Sequence, residues 1–150
     1  MIAMMLFACA VSREFEGPGW SEGELTLDYD GPFLVAATHA RPAAGQSDAF
    51  HDHVDAIQET LDGMDVDSGL VGYSLRGEIG GNDNWTLTVW TSEEAMMGFV
   101  VSPVHAAAMA NADVLLEKGT FTHWEEPDAT ALPPEWDRVL DSLDEAEALY

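Results

Sequence analysis

The chain has 150 residues, of which 47% are hydrophobic and 22% charged, so it can bury the core of one domain. Five Lys and Arg residues stand against 28 Asp and Glu residues, a formal net charge of −23. Binding to nucleic acid or to anionic lipid needs a concentration of basic residues, and five cations exclude both. The single cysteine, Cys9, excludes an intrachain disulfide and a cysteine-based zinc site.

Residues 1–31 are predicted to be an apolar N-terminus followed by a tether. The first ten residues are far too few to span a bilayer, which needs about 20 residues. Leu6-Phe7-Ala8-Cys9 looks like the lipobox of a bacterial lipoprotein, in which the cysteine is acylated, although no Lys or Arg precedes it. The alternative is a frayed apolar end. The location therefore stays open between the cytoplasm and a lipid anchor at Cys9 in the bacterial envelope. Ser12 to Gly31 contains GPGW and several acids, as a linker does.

A compact domain is predicted over residues 32–126. Phe33 to Thr38 is an apolar run of strand length. Ser47 is expected to cap a helix that Gly63 ends, because apolar residues recur between them on one helical face. These residues are Phe50, Val54, Ile57 and Leu61. Residues 70–76 and 85–90 read as strands, and the short turn between them predicts a hairpin.

Two helical pieces and a last strand follow the hairpin. Ser92 can cap the first piece, with acids in its first turn. Ser102-Pro103 can end it and begin the second piece, which is predicted to run to about Ala112. Residues 115–124 contain the last strand. The order β-α-β-β-α-β indicates an α+β, ferredoxin-like fold.

Residues 127–150 are predicted to form an appended acidic helix. Pro133-Pro134 suits a helix start, and an apolar stripe follows. The stripe consists of Trp136, Val139, Leu140 and Leu143. Two helices on one face of a four-stranded sheet leave the other face bare, so either this helix or a second copy of the chain must cover it.

The sequence after the hairpin carries a family resemblance. The run NWTLTVWTSEEAMMGFVVSPVHAAAM, with HWE and a Pro-Trp segment after it, resembles the dimeric α/β-barrel superfamily. Within it, the chain looks like the antibiotic-biosynthesis-monooxygenase-like domains and an uncharacterised bacterial group near them. The resemblance covers roughly Phe33 to Trp136. The matching residues are Trp85 to Trp90, Glu93, Glu94, Phe99, Val100, Ser102, His105, Ala108, Met109, His123, Trp124, Glu125, Pro134 and Trp136.

The resemblance implies a ferredoxin-like monomer and a homodimer in which two sheets pack into an α/β barrel. The superfamily includes cofactor-free monooxygenases that act on polycyclic phenols, haem-degrading enzymes and members without a known reaction. Trp90 matches a tryptophan that shapes the pocket of the haem-degrading members. Those members also have an asparagine in the first strand, where this chain has Ala36, Ala37 and Thr38, and a histidine near the position of Met109. This chain differs from the haem-degrading members at two of these three positions, so the resemblance does not imply haem degradation.

His105 is the leading candidate for catalysis. It shares a helical face with Met109, and in a cavity it can act as a general base or as an axial haem ligand. The alternative is a half-buried histidine bonded to the backbone. Trp90, Met109, Phe99 and Thr38 are the candidate substrate-binding residues. The alternative for Trp90 is packing in the core or a dimer interface. No metal site is predicted, since His51 and His53 do not share a helical face.

The first functional hypothesis is a monooxygenase-like enzyme without a built-in cofactor. It would oxidise or bind a small, aromatic or apolar molecule in a pocket between sheet and helices. His105 would act as the base, and Trp90 would line the pocket. The second is a non-catalytic ligand-binding or stress-associated domain, tethered to the envelope through Cys9. The third is a haem-binding protein with His105 as ligand. The expected partners are a small molecule and a second copy of the chain.

Overall fold

The structure is a computed structural model that describes residues 9–149. The larger elements are, in chain order, β1 (Ala10–Ser12), β2 (Trp20–Ser21), β3 (Glu24–Leu25), β4 (Phe33–Pro42), α1 (Ser47–Asp62), β5 (Leu70–Glu78), β6 (Asn84–Trp90), α2 (Glu93–Val100), α3 (Pro103–Ala110), α4 (Ala112–Leu115), β7 (Leu116–Glu126) and α5 (Trp136–Glu145). The main sheet is antiparallel, in the order β1-β5-β6-β4-β7. The four neighbouring strands β5-β6-β4-β7 have the ferredoxin-like order, so the predicted α+β fold is confirmed. No described helix is long and apolar enough to cross a membrane.

The sheet is buried on both faces, because its strands alternate between two apolar clusters. On β4, Leu34 and Ala36 join the cluster that packs under α1 and α2. Phe33, Val35 and Ala37 join the cluster on the opposite face. We call these two sides the helix face and the α5 face.

The C-terminal helix covers the α5 face. Val139 is fully buried and Leu143 is 4% exposed, and both pack into the cluster there. Arg138 of the same helix forms an ion pair with the buried Glu126 and lies 5.4 Å from the ring centroid of Trp124. Of the two ways to cover the bare face, the chain uses its own helix. The homodimer and its barrel stay a prediction.

The segment predicted to be a tether is instead a packed part of the domain. Ser12 in β1 pairs with Arg76 in β5, and Phe15 and Trp20 are buried in the cluster of the α5 face. Gly17 lets this segment lie directly against β5, because a Cβ at position 17 would overlap the backbone of Gly72. The tether interpretation is therefore wrong for residues 12–31. The glycines allow close approach to the sheet, and the aromatic residues Phe15 and Trp20 belong to the core.

The starts of α2 and α3 agree with the serine caps predicted from the sequence. The hydroxyl of Ser92 accepts a hydrogen bond from the Ala95 amide, and that of Ser102 accepts one from the His105 amide. The predicted cap at Ser47 is wrong, since Gln46 holds that position and no side chain caps the helix. The C-terminal helix begins at Trp136, later than Pro133-Pro134 implies.

Candidate functional site

Three of the predicted site residues form a continuous row of rings on the helix face. Trp90, the last residue of β6, stacks on Phe99 of α2 with ring centroids 5.6 Å apart. Phe99 in turn lies 5.0 Å from the ring of His105 in α3. The restart of the helix at Ser102-Pro103 places the His105 ring back over the end of α2. The fold therefore brings Trp90, Phe99 and His105 together.

His105 has one ring nitrogen fixed and one available. Its Nδ1 lies 3.1 Å from the carbonyl oxygen of Val100, which can only accept, so Nδ1 carries the proton. Burial lowers the pKa of His105, and the Val100 carbonyl opposes this only in part. The neutral imidazole then presents the lone pair of Nε2, for which the described residues supply no hydrogen-bond partner. This geometry suits a general base. It also agrees with the alternative interpretation, in which His105 is a half-buried histidine hydrogen-bonded to the backbone.

Trp90 lies in the core. Its side chain is 1% exposed, and its indole Nε1 donates to the Thr88 hydroxyl over 2.8 Å. A satisfied, fully buried indole of this kind is what the packing alternative expects. The predicted contact between Trp90 and a substrate stays a prediction.

Met109 and Thr38 are not part of the ring row. Met109 is 44% exposed on α3, one turn after His105. Thr38 is half-buried on β4, where its hydroxyl is hydrogen-bonded to that of Thr86 on β6. The register pairs Trp90 with Leu34, four residues from Thr38 along β4. Thr38 is thus remote from His105, while Met109 extends the exposed side of α3 next to it.

Cys9 is exposed and its thiol is free, and its carbonyl oxygen accepts from the Ile79 amide. The rest of the lipobox-like run, Leu6 to Ala8, lies outside the described residues. Lipidation at Cys9 stays a prediction. Within residues 9–149, no group of three or more His, Cys, Asp or Glu side chains could hold a metal ion.

The α5 face carries a polar cluster that the sequence does not predict. His39 is 8% exposed, and its Nε2 lies 2.7 Å from Asp83 Oδ1. Arg41 forms a bidentate pair with the same carboxylate, and these contacts hold the pKa of Asp83 below its usual range. The His39 ring also stacks on Trp85, 5.1 Å away. Asp83 ties the hairpin turn to β4, and its partners lie over 40 residues away in the chain, so no local signal reveals the cluster.

Two of the surface clefts in the described part of the chain are lined by none of the predicted site residues. The α5 cleft, about 170 Å³, lies between the N-terminal segment and the start of α5. The β7 cleft, about 530 Å³, lies between the end of β7 and the start of α2. The α5 cleft is lined by Ser12, Arg13, Phe15, Ser74, Leu87, Pro133, Pro134, Glu135 and Trp136. The β7 cleft is lined by Tyr29, Pro32, Leu34, Thr91, Ser92, Glu93, His123, Trp124 and Glu125.

Comparisons with known proteins identify the fold. No protein-family model matches the chain, and no curated protein matches it. The structure of Rv0793 from Mycobacterium tuberculosis superposes with a TM-score of 0.56 at 18% identity, covering 64% of this chain and 96% of that one. A "putative antibiotic biosynthesis monooxygenase" from Deinococcus radiodurans gives 0.55 at 14% identity, covering 64% and 94%. A "putative monooxygenase" from Lactobacillus acidophilus NCFM gives 0.54 at 13% identity, covering 65% and 46%. The chain is therefore similar in fold to proteins that bear the monooxygenase name.

Proposed function

We propose that the protein is a monooxygenase-like enzyme that acts on a small aromatic or apolar molecule next to His105. The observation that carries this proposal is the state of the His105 ring. Its Nδ1 is fixed by the Val100 carbonyl and its pKa is lowered by burial, so Nε2 is free to take a proton at neutral pH. The fold shared with proteins named as monooxygenases is a further support, at the level of analogy.

The chemistry needs a substrate that becomes electron-rich when it loses a proton, such as an anthrone or a hydroquinone. Nε2 of His105 takes the proton from an acidic carbon or hydroxyl of the substrate, which leaves an anion. For an anthrone, the anion adds O₂ at carbon, and the peroxide then loses water to give a carbonyl. For a hydroquinone, the anion adds O₂ at a ring carbon, and the peroxide then loses water to give a hydroxyquinone. One oxygen atom ends in the product and the other in water, so CH₂ and O₂ become C=O and H₂O. The protein supplies the base and the orientation.

The substrate would lie on the exposed side of α3. Met109 is spaced i, i+4 from His105, so the two side chains are neighbours on the helix surface. Phe99 is 8% exposed and supports the His105 ring from beneath. An apolar molecule that rests on Met109 would therefore lie beside the proposed base.

A non-catalytic binding domain is the second candidate, and the packing of the helix face favours it. Trp90 and Phe99 are buried and stacked on each other, and neither cleft is lined by His105. A haem fits this arrangement poorly, because the space between sheet and helices beside His105 is filled by the same two rings. We therefore assign no step to haem.

The test is oxygen uptake by the purified full chain with dithranol and with 1,4-naphthohydroquinone. We expect uptake above the spontaneous rate, and a loss of about 100-fold or more in the His105→Gln variant, in the range of a removed general base. His53→Gln on α1 is the matched control and is expected to keep the rate. Binding of these compounds without oxygen uptake would establish the binding domain instead. Equal uptake by the His105→Gln variant would refute the role of His105.

A further inference from the structure

β7 is the edge strand of the main sheet, and part of its free side is unpaired. The sheet order places β4 on one side of β7 and no described strand on the other. The C-terminal tail covers the first part of the free side. There the Leu149 amide donates to the Gly119 carbonyl over 2.7 Å, and Thr120 forms an antiparallel bridge. Among the described residues, no segment forms a bridge with this side of β7 beyond Thr120.

The main-chain groups of His123 and Glu125 point outward from this edge. The carbonyl of Gly119 points away from β4, because it accepts from the tail. Main-chain groups alternate in direction along an antiparallel strand, and the register with β4 is continuous from Gly119 to Glu126, so His123 and Glu125 point the same way as Gly119. Both residues are exposed. Each therefore offers one N–H donor and one C=O acceptor to an added strand, and we call this stretch the β7 edge.

The side chains of the same two residues line the β7 cleft. Glu125 pairs with Leu34, and His123 is two residues away, so both side chains lie on the helix face. The start of α2 adds Glu93 to the lining. The lining contains these two carboxylates and neither Lys nor Arg. A strand added at the β7 edge would point alternate side chains to the helix face, towards this negative charge.

The charge of the cleft favours a basic strand. Among the described residues, no ion pair involves Glu93 or Glu125. The positive end of the α2 dipole amounts to about half a charge, against the full negative charge of each carboxylate. A second copy of the chain would bring a net charge of −23 and the same two carboxylates to this edge, so like charges oppose pairing between copies.

We propose that the β7 edge and the β7 cleft together bind an extended peptide that carries Lys or Arg at alternate positions. The peptide adds a strand to the sheet and exchanges main-chain hydrogen bonds with His123 and Glu125. Its basic side chains point towards Glu93 and Glu125, and the side chains between them point to the α5 face beside Trp124. The main-chain pairing supplies affinity, and the carboxylates supply the choice of sequence. This surface is separate from the ring row and does not depend on the proposed function.

NMR titration of the nitrogen-15-labelled full chain with the blocked peptide TVKVKVT tests the proposal. We expect the amide signals of His123 and Glu125 to shift and their hydrogen exchange to slow. The acidic peptide TVEVEVT should bind at least tenfold more weakly, because its charge matches that of the cleft. TVKVKVT methylated on both lysine main-chain nitrogens keeps its charge but loses two donors, so it should also bind about tenfold or more weakly.

Four variants test the same contacts from the side of the protein. Glu93→Gln and Glu125→Gln should each weaken TVKVKVT about two- to fivefold, the range of an exposed ion pair. Glu117→Gln removes an exposed acid of β7 outside the cleft and should leave the affinity unchanged. His123→Pro removes an outward N–H and leaves the pairing with β4 in place, so it should weaken binding about tenfold or more. If circular dichroism shows His123→Pro to be unfolded, the methylated peptide tests the main-chain pairing on the unaltered chain.

Four results would overturn the proposal. The first is no shift of the His123 and Glu125 amides at millimolar TVKVKVT. The second is equal affinity for the methylated peptide, which would mean that charge alone attracts the peptide. The third is equal affinity for TVEVEVT, which would mean that the carboxylates select nothing. The fourth is a dimer in analytical ultracentrifugation that His123→Pro converts to a monomer, which would assign the β7 edge to a second copy of the chain.

Discussion

The packing of α5 on the sheet predicts a large cost for Leu143→Ala. Leu143 is 4% exposed and lies in the same cluster as Phe33 and Val35, so truncation removes buried contacts and leaves a cavity. Leu-to-Ala changes in cores cost about 2–5 kcal/mol. α5 is a single outer helix that can settle inward, so we expect the lower part of this range, about 2–3 kcal/mol.

Urea unfolding followed by far-UV circular dichroism measures this cost. A loss of about 2–3 kcal/mol lowers the folding equilibrium constant about 30- to 150-fold and shifts the midpoint with little change in slope. Leu149→Ala is the matched control, since Leu149 is 59% exposed, and it should change stability by less than about 0.5 kcal/mol. A Leu143→Ala cost as small as that of the control would refute the packing of α5 on the sheet.

Two other predictions concern the pH dependence and the glycines. Burial lowers the pKa of His105 in the folded chain. As the pH falls below about 6.5, His105 is therefore protonated in the unfolded chain before it is protonated in the folded chain. The free energy of unfolding decreases in that range and recovers above it. His105→Gln should therefore flatten the stability profile below pH 6.5 in urea titrations at several pH values, and an unchanged profile would contradict the burial of the ring.

Gly17→Ala should destabilise the protein, because its Cβ overlaps the Gly72 backbone. Gly98→Ala lies in open space on α2 and should stabilise the protein by about 0.5–1 kcal/mol. Thermal melting distinguishes the two, and equal shifts of both variants would contradict the close packing of the N-terminal segment.

The sequence predicts the ferredoxin-like core well because its signals are local. The alternation of WTLTVW gives a strand, and the hydroxyls of Ser92 and Ser102 fix two helix starts. The row of Trp90, Phe99 and His105 also follows from elements that are consecutive in the chain.

The features that the sequence misses depend on contacts between distant residues. The glycines at 17 and 19 look like linker residues until Gly72 and Val71 are placed against them. The pairing of Asp83 with His39 and Arg41, and the position of Arg76 beside Trp136, join strands and helices far apart in sequence. Composition and spacing contain no information about these distances, so the α5 cleft appears only in the folded chain.

The proposed function depends on a His105 ring that is neutral at neutral pH and has a free Nε2. Nitrogen-15 NMR of the His105 ring across pH 4–9 tests it most directly, with His105→Gln used to assign the signals. We expect a pKa of His105 below the ordinary value of 6.5. At pH values above that pKa, we expect the proton on Nδ1 and none on Nε2. A pKa at or above 6.5, or a proton on Nε2 in the neutral form, would contradict the proposed base.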